Sequence, residues 1–339
     1  MANIKQIAQR CGVSVATVSK VFNHYPDIST QTVRLVTQTA IEMGYIPNAM
    51  ARAMKTNRTY NLGVLFVDEM QSGLGHDYFS HILESFKTQA EKQGYDITFI
   101  SQNIGGRPMS YLEHCRYRGC DGVMIASVDF TNPQVQELAG REIPVVTIDH
   151  ILADCSAVMS DNVNDMQKLF MHLYEKGHRK IAYIHGEMTS VTQRRLAGFH
   201  RASHSVHLSI PDTYVIQARF HDPVSSAKAT RTLISLSDRP TCIIYPDDFS
   251  YLGGRDELER AGLKVGQDIS AAGYDGIYLS QALRPRLTTL KQDAGSIGQT
   301  AATLLIRAVE EPKTTFPEQI AIHGQLLPGD TVANVNSHK

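Results

Sequence analysis

Residues 11–23 read CGVSVATVSKVFN. From Ser14, a natural N-cap, the spacing predicts a helix with Thr17, Val18, Val21 and Phe22 turned inward and Val15, Ala16, Ser19, Lys20 and Asn23 turned outward. Solvated helix faces collect Glu, Lys and Arg, so small and apolar groups there imply close approach to another surface. Upstream, Asn3 and Gln6 have the spacing of a capping box for a short helix that turns Ile4, Ile7 and Ala8 inward and stops at Gly12. Helix, glycine turn and second helix make a helix-turn-helix. In that geometry the second helix enters the major groove of DNA. Val15 and Ala16 can then meet thymine methyls, and Lys20 can reach guanine O6 and N7. Asn3, Ser14, Thr17, Asn23, Ser29 and Thr32 are suited to phosphate contacts, which position without specifying sequence.

A third helix is expected from Ser29 or Thr30 to Met43, with Val33, Val36, Ala40 and Ile41 inward and Gly44 at its end. The next stretch, YIPNAMARAMKTNRTYNLGV (45–64), has Pro47 as an interruption, Asn48 as a cap and AMARAMK as a helix with little to bury. A helix of about seven residues forms in water only when held against something. Charge agrees with a polyanion for this head: residues 1–60 hold seven basic and two acidic side chains, +5, which leaves −6 for the remainder of a chain whose net charge is −1.

At 339 residues two or three domains are expected. The segment MANIKQIAQR has no apolar h-region, and no run reaches the ~18 apolar residues of a membrane span, so a cytoplasmic protein with no membrane partner is expected. Five scattered cysteines without a C-x-x-C pair suggest neither disulfides nor zinc, and His200, His204 and His207 share a helix face without a thiol or acidic partner. No metal and no cofactor are expected. Without an activated nucleophile or a glycine-rich phosphate loop, an enzyme is disfavoured.

From residue 61 short apolar runs alternate with amphipathic stretches. Strands are predicted at 61–67, 95–101, 121–127, 143–148, 157–160, 180–186, 213–218, 241–246 and 269–275, mostly with helical segments between, as in parallel sheets with crossover helices. Nine strands favour two doubly wound lobes, with a break after Asp149. Ligands of such sheets sit beyond the carboxyl ends of the strands. There stand Asp149, Asp247 and Asp275, with Arg195 near the end of the 180–186 strand and Phe79 and Tyr245 as aromatic neighbours. Carboxylates and a guanidinium suit a ligand rich in hydroxyls. Asp247 and Asp161 serve equally well as helix caps.

The run AQRCGVSVATVSKVFN, then S-x-x-T, then GYIPNAMARAM, within residues 3–62, resembles the DNA-binding headpiece and hinge of the LacI/GalR family of bacterial transcription regulators. Lys20 stands where that family more often has Arg, and Met54 where it more often has Leu. The resemblance implies base reading by Val15, Ala16 and Lys20, and paired hinge helices in the minor groove through Asn48, Ala51 and Met54. It continues to about residue 329 through HDYF (76–79), SDN (160–162), GHRKIAYIHG (177–186), RLAGF (195–199), GYD (273–275) and LTTLKQD (287–293), which are similar to the family's periplasmic-binding-protein-like effector domain. It implies effector contacts from Arg195 and Asp275, with Asp149, Met159 and the HDYF residues His76, Asp77, Tyr78 and Phe79 lining the pocket. After the 241–245 strand the family commonly has Asn-Asp, and this chain has Pro246-Asp247.

The fold expected is thus an all-α helix-turn-helix headpiece (1–46), a hinge (47–60), and an α/β body (61–329) of two parallel-sheet lobes, 61–160 with about 292–318 and 161–290 with about 319–329, before a tail (330–339). The function expected is a repressor that binds a pseudo-palindromic operator in double-stranded DNA as a homodimer and responds to a small effector, a sugar foremost. A purine-type corepressor and, from another class, a transport solute-binding protein are the alternatives. Residues 331–339 are too short and polar for coiled-coil heptads, so a dimer rather than a tetramer is expected, joined through apolar helix surface around residues 78–93.

Overall fold

The computed structural model describes residues 2–22, 25–45, 58–67, 75–140 and 142–335. It divides into two compact units, Met1–Asn61 and Leu62–Lys339.

The first unit holds α1 (Ile4–Cys11), α2 (Val15–Phe22) and α3 (Thr30–Glu42). Asn3 and Gln6 form the expected capping box, and Gly12 ends α1 in the left-handed region at φ 65°. Ile7, Ala8, Val18, Val21, Val36 and Ala40 make one small core, with Thr17 and Phe22 half-buried. Ile41, expected inward, is 69% exposed, and Thr39 is buried instead. Five residues beyond Val36, position 41 is rotated about 140° from the buried stripe, whereas Thr39 and Ala40 fall on it. The expected hinge helix lies outside the described residues.

In the second unit β1 (Asn61–Phe66), β2 (Asp96–Phe99), β5 (Gly122–Ala126), β6 (Val145–Ile148), β7 (Ser156–Ser160) and β13 (Gln319–Ile322) form one sheet in the order β13-β7-β6-β5-β1-β2, and β3 (Asn103–Ile104) and β4 (Arg107–Pro108) form a small ribbon. A second sheet orders β14 (Gln325–Leu327), β12 (Thr288–Lys291), β11 (Ser270–Asp275), β10 (Cys242–Ile244), β8 (Ile181–His185) and β9 (Val215–Gln217) as β14-β12-β11-β10-β8-β9. Only β14 runs antiparallel to its neighbour in that sheet. Every residue of β5, β6, β7 and β8 is buried, as helix-covered parallel strands require.

All nine predicted strands exist, but two boundaries shift. The break does not follow Asp149, because β7 pairs with β6 and remains in the first lobe. Residues 319–322, expected in the second lobe, pair with β7 in the first, and Asp161 N donates to Ile322 O at 2.9 Å. The chain therefore passes between lobes after β7, after β12 and after β13.

Helix α4 (Asp77–Lys92) lies on the first sheet beside the C-terminal helix described below; α5 (Tyr111–Arg118) and α6 (Pro133–Leu138) complete this lobe. The apolar face of α4, expected at a dimer interface, is spent inside the protomer: Ile82, Phe86 and Ala90 are wholly buried. The long helix α12 (Ala294–Glu310) follows α7 (Asn162–Glu175), α8 (Ser190–Ser205), α9 (Pro223–Ile234), α10 (Ser250–Arg260) and α11 (Tyr278–Ala282) of the second lobe and returns to pack on α4. Gly298 permits that approach, since a Cβ there would stand 2.2 Å from Ile82 O and 2.9 Å from Phe86 N. Gly298→Ala is expected to cost about 1–3 kcal/mol. Gly295→Ala, where a Cβ meets nothing nearer than 3.6 Å, serves as the neutral control in urea unfolding.

Candidate functional site

Two candidate sites arise, one in each unit. In the first, Val15 is 42% exposed, and Ala16 and Lys20 lie on the same outward side of α2. Ser14 Oγ accepts from Thr17 N at 3.0 Å, and Ser29 Oγ accepts from Thr32 N at 3.2 Å. Four of the expected phosphate residues are therefore helix-start residues, and Asn3 caps α1. A helix start directs spare backbone N–H groups outward and favours an anion, so capping and phosphate binding are compatible uses of these positions. Asn23, Asn48, Ala51 and Met54 lie outside the described residues.

In the second unit the strand ends of both lobes converge through one hydrogen-bonded chain. Tyr78, in the first turn of α4, donates its hydroxyl to Asp149 Oδ2 at 2.7 Å, and Asp149 Oδ1 accepts from Ser160 N at 3.0 Å. Ser160 Oγ donates to Gln292 Oε1, and Gln292 Nε2 donates to Asp275 Oδ1 at 2.6 Å. Asp149 follows β6 and Ser160 ends β7 of the first lobe, Asp275 ends β11 of the second, and Gln292 follows β12 at a crossing between lobes.

Arg195, 3% exposed in the first turns of α8, lies 3.8 Å from Asp275 Oδ1. It donates to Asn162 Oδ1 at 2.8 Å and to Pro246 O at 2.9 Å, while its guanidinium stacks 3.6 Å above the Tyr274 ring. Pro246 has no side-chain amide to offer, and it meets the arginine only through its backbone carbonyl. Phe220 approaches from the loop after β9, 5.7 Å from the guanidinium. Gly186 makes room for it, since a Cβ there would stand 2.3 Å from the Phe220 ring.

Further contacts surround this chain, some between the lobes and some within one. Ser190 Oγ donates to Asp149 O at 2.9 Å, and Arg194 Nη1 meets the Met159 sulfur. His76 stacks on His221 at 4.7 Å, and His221 stacks on Phe249 at 4.1 Å. Phe79 packs against Tyr78, His76 and Phe66. Phe130 and His150 stack nearly parallel at 3.9 Å.

Electrostatics and backbone set this region apart. Burial pushes the Asp275 carboxyl up to about 7, against the pull of Arg195. Burial likewise raises Asp149, against hydrogen bonds from Tyr78 and Ser160, and it holds Asp248 well above the usual carboxylate range. Asp149 at φ 57°, Ser127 at φ 53°, His221 at φ 54° and Asp275 at φ 100° occupy the left-handed region without being glycine. Such residues cost about 1–3 kcal/mol each and gather where side-chain direction matters.

Of the expected effector residues, His76, Phe79, Asp149, Met159, Arg195 and Asp275 take part in this network. Tyr245 does not: it is wholly buried in the second lobe's core, its hydroxyl 3.0 Å from Thr230 Oγ1. Alternation along a strand sends its side chain to the helix-covered face rather than beyond the strand end. Asp247 is used as a turn cap, accepting from Ser250 N at 2.7 Å, Ser250 Oγ at 2.8 Å and His221 N at 2.8 Å. Sequence reasoning missed Phe130, His150, Ser190, Phe220 and His221. All five sit in loops or at a helix start, where no periodicity marks them.

The description "Bacterial regulatory proteins, lacI family" matches residues 3–48, and "Periplasmic binding protein-like domain" matches residues 170–332. The HTH-type transcriptional repressor PurR of Escherichia coli O1:K1 / APEC is 30% identical over 98% of this chain and 98% of its own length. Among solved structures, the lac repressor dimer bound to operator and the anti-inducer ONPF is similar with TM-score 0.79 at 24% identity, covering 98% of this chain and 99% of that one. A LacI family transcriptional regulator from Enterococcus faecium with bound ribose is similar with TM-score 0.68 at 24% identity, over 81% of this chain and 99% of that one.

Proposed function

The chain belongs to the lacI family of bacterial regulatory proteins, and from that membership we propose that it is a transcriptional repressor whose operator binding is controlled by a small hydroxylated effector, a sugar, held between the lobes of the body. The observation that carries the effector reading is the Tyr78–Asp149–Ser160–Gln292–Asp275 chain, which joins an acceptor of one lobe to an acceptor of the other. Asp275 Oδ2 accepts from no described residue, so it is open to a ligand hydroxyl, and the Phe79 and Phe220 rings offer apolar faces for a sugar's C–H side. A ligand that touches both lobes favours one lobe angle over another, and that preference is what an effector needs in order to act.

A homodimer presents the same recognition helix twice, which fits a pseudo-palindromic operator. In this reading residues 47–60 form the hinge, with Asn48, Ala51 and Met54 toward the minor groove, Met54 as the wedge. Lys20→Ala is expected to cost about 1–3 kcal/mol and to relax preference at one symmetric base pair. A uniform loss across all sequences in a binding-site selection would instead make Lys20 a phosphate contact. The test of the effector reading is a thermal-shift screen of monosaccharides, disaccharides and purines on the full chain. At 100 times its Kd a true effector adds roughly 2.7 kcal/mol, and a panel response confined to purines would replace the sugar.

A further inference from the structure

The first sixty residues contain only two acidic side chains, Asp27 and Glu42. Glu42, the last residue of α3, takes Arg10 at 3.3 Å. Asp27 lies directly on Lys20: its Oδ2 accepts from Lys20 Nζ, and that hydrogen bond holds the Asp27 carboxyl below its usual range. Tyr25 flanks the same ammonium, its ring centroid 6.0 Å from Nζ. In a head whose other charges nearly all favour DNA, one carboxylate has been set on the cation assigned to base reading.

We propose that Asp27 is a specificity-determining residue that restrains Lys20 and suppresses its binding to phosphate, so that the ammonium is released only where a guanine edge replaces the carboxylate. This rests on the reading of Lys20 as a base-reading residue. An unrestrained lysine neutralises any phosphate within reach and adds to affinity for every sequence, because counterion release is indifferent to the bases. With the carboxylate in place, a phosphate contact must break the ion pair and also bring Asp27 toward the anionic backbone. Guanine O6 and N7 together offer two acceptors in the groove that carry no net charge to repel the Asp27 carboxylate. Asp27 therefore acts on the difference between specific and random binding more than on specific affinity itself.

The test uses the full-length protein as wild type, Asp27→Asn, Lys20→Ala and the double variant. Each is measured on the palindromic site recovered by selection from randomised DNA and on a random-sequence duplex, from 50 to 200 mM salt. Asp27→Asn is expected to tighten random-duplex binding about tenfold and to steepen its salt slope by roughly 1.8, one added phosphate contact in each protomer at about 0.9 each. Binding to the selected site should change less than about threefold, so the specificity ratio falls, and in the Lys20→Ala background the effect on random DNA should shrink. Equal tightening on both DNAs would overturn the proposal, since Asp27 would then be a general repulsion. Loss of binding to the selected site, with relaxed preference at one base pair, would overturn it by making Asp27 a base reader itself. If Lys20→Ala relaxes no base pair, the underlying assignment of Lys20 fails, and that outcome is read from the single variant alone.

Discussion

Asp275→Ala is expected to weaken effector affinity by about thirtyfold or more, because removing a charged partner from a buried contact costs about 2–5 kcal/mol. The side chain is 11% exposed, is fixed by Gln292 through Oδ1, and leaves Oδ2 for the ligand. In a reporter strain the variant should ignore the sugar recovered from the screen, and it should keep operator binding if that sugar is an inducer. Permanent repression would identify the sugar as an inducer and permanent expression would identify it as a corepressor, so one assay sets the sign. A variant that still responds normally would remove the interlobe site. Asp275→Asn separates charge from shape: it keeps the Gln292 geometry and one acceptor, and its loss should be smaller than that of alanine.

Arg195→Met is expected to cost about 3–5 kcal/mol of stability at pH 8, because it removes one partner of a buried pair and leaves Asn162 Oδ1 and Pro246 O without their donor. The loss should depend on pH. Asp275 has a folded pKa raised to about 7 from 3.8, so its proton is held by the folded state and lost by the unfolded one between those values. Its contribution to stability is therefore fully present below about 3.8 and declines as pH rises toward 7. Arg195 limits that decline by favouring the carboxylate, so without it the decline continues to higher pH. Urea unfolding should show Arg195→Met closer to wild type at pH 5 than at pH 8, and Asp275→Asn should flatten the difference. An equal loss at both pH values would mean that the two groups are not coupled.

The sequence by itself determined the helix-turn-helix, the nine strands and the family, because each rests on a local signal. A capping box acts over four residues, a buried strand is a short apolar run, and Gly12 ends a helix by its own backbone freedom. It also placed Arg195 and Asp275, since a strand end and the following helix start can be read in one dimension. Tertiary structure alone decided which lobe receives residues 319–322, because QIAI carries the same apolar content in either sheet and only pairing with Ser156–Ser160 chooses between them. It alone sent Tyr245 into the core and made Asp247 a cap, since the direction of a side chain at a strand end depends on pleat and twist. It alone brought Phe220 over Gly186, His76 onto His221, and Asp27 onto Lys20. The physical reason is range: hydrogen-bond caps and burial patterns are written within one turn or one strand. A stack or ion pair between separate elements is set by the packing of everything between them.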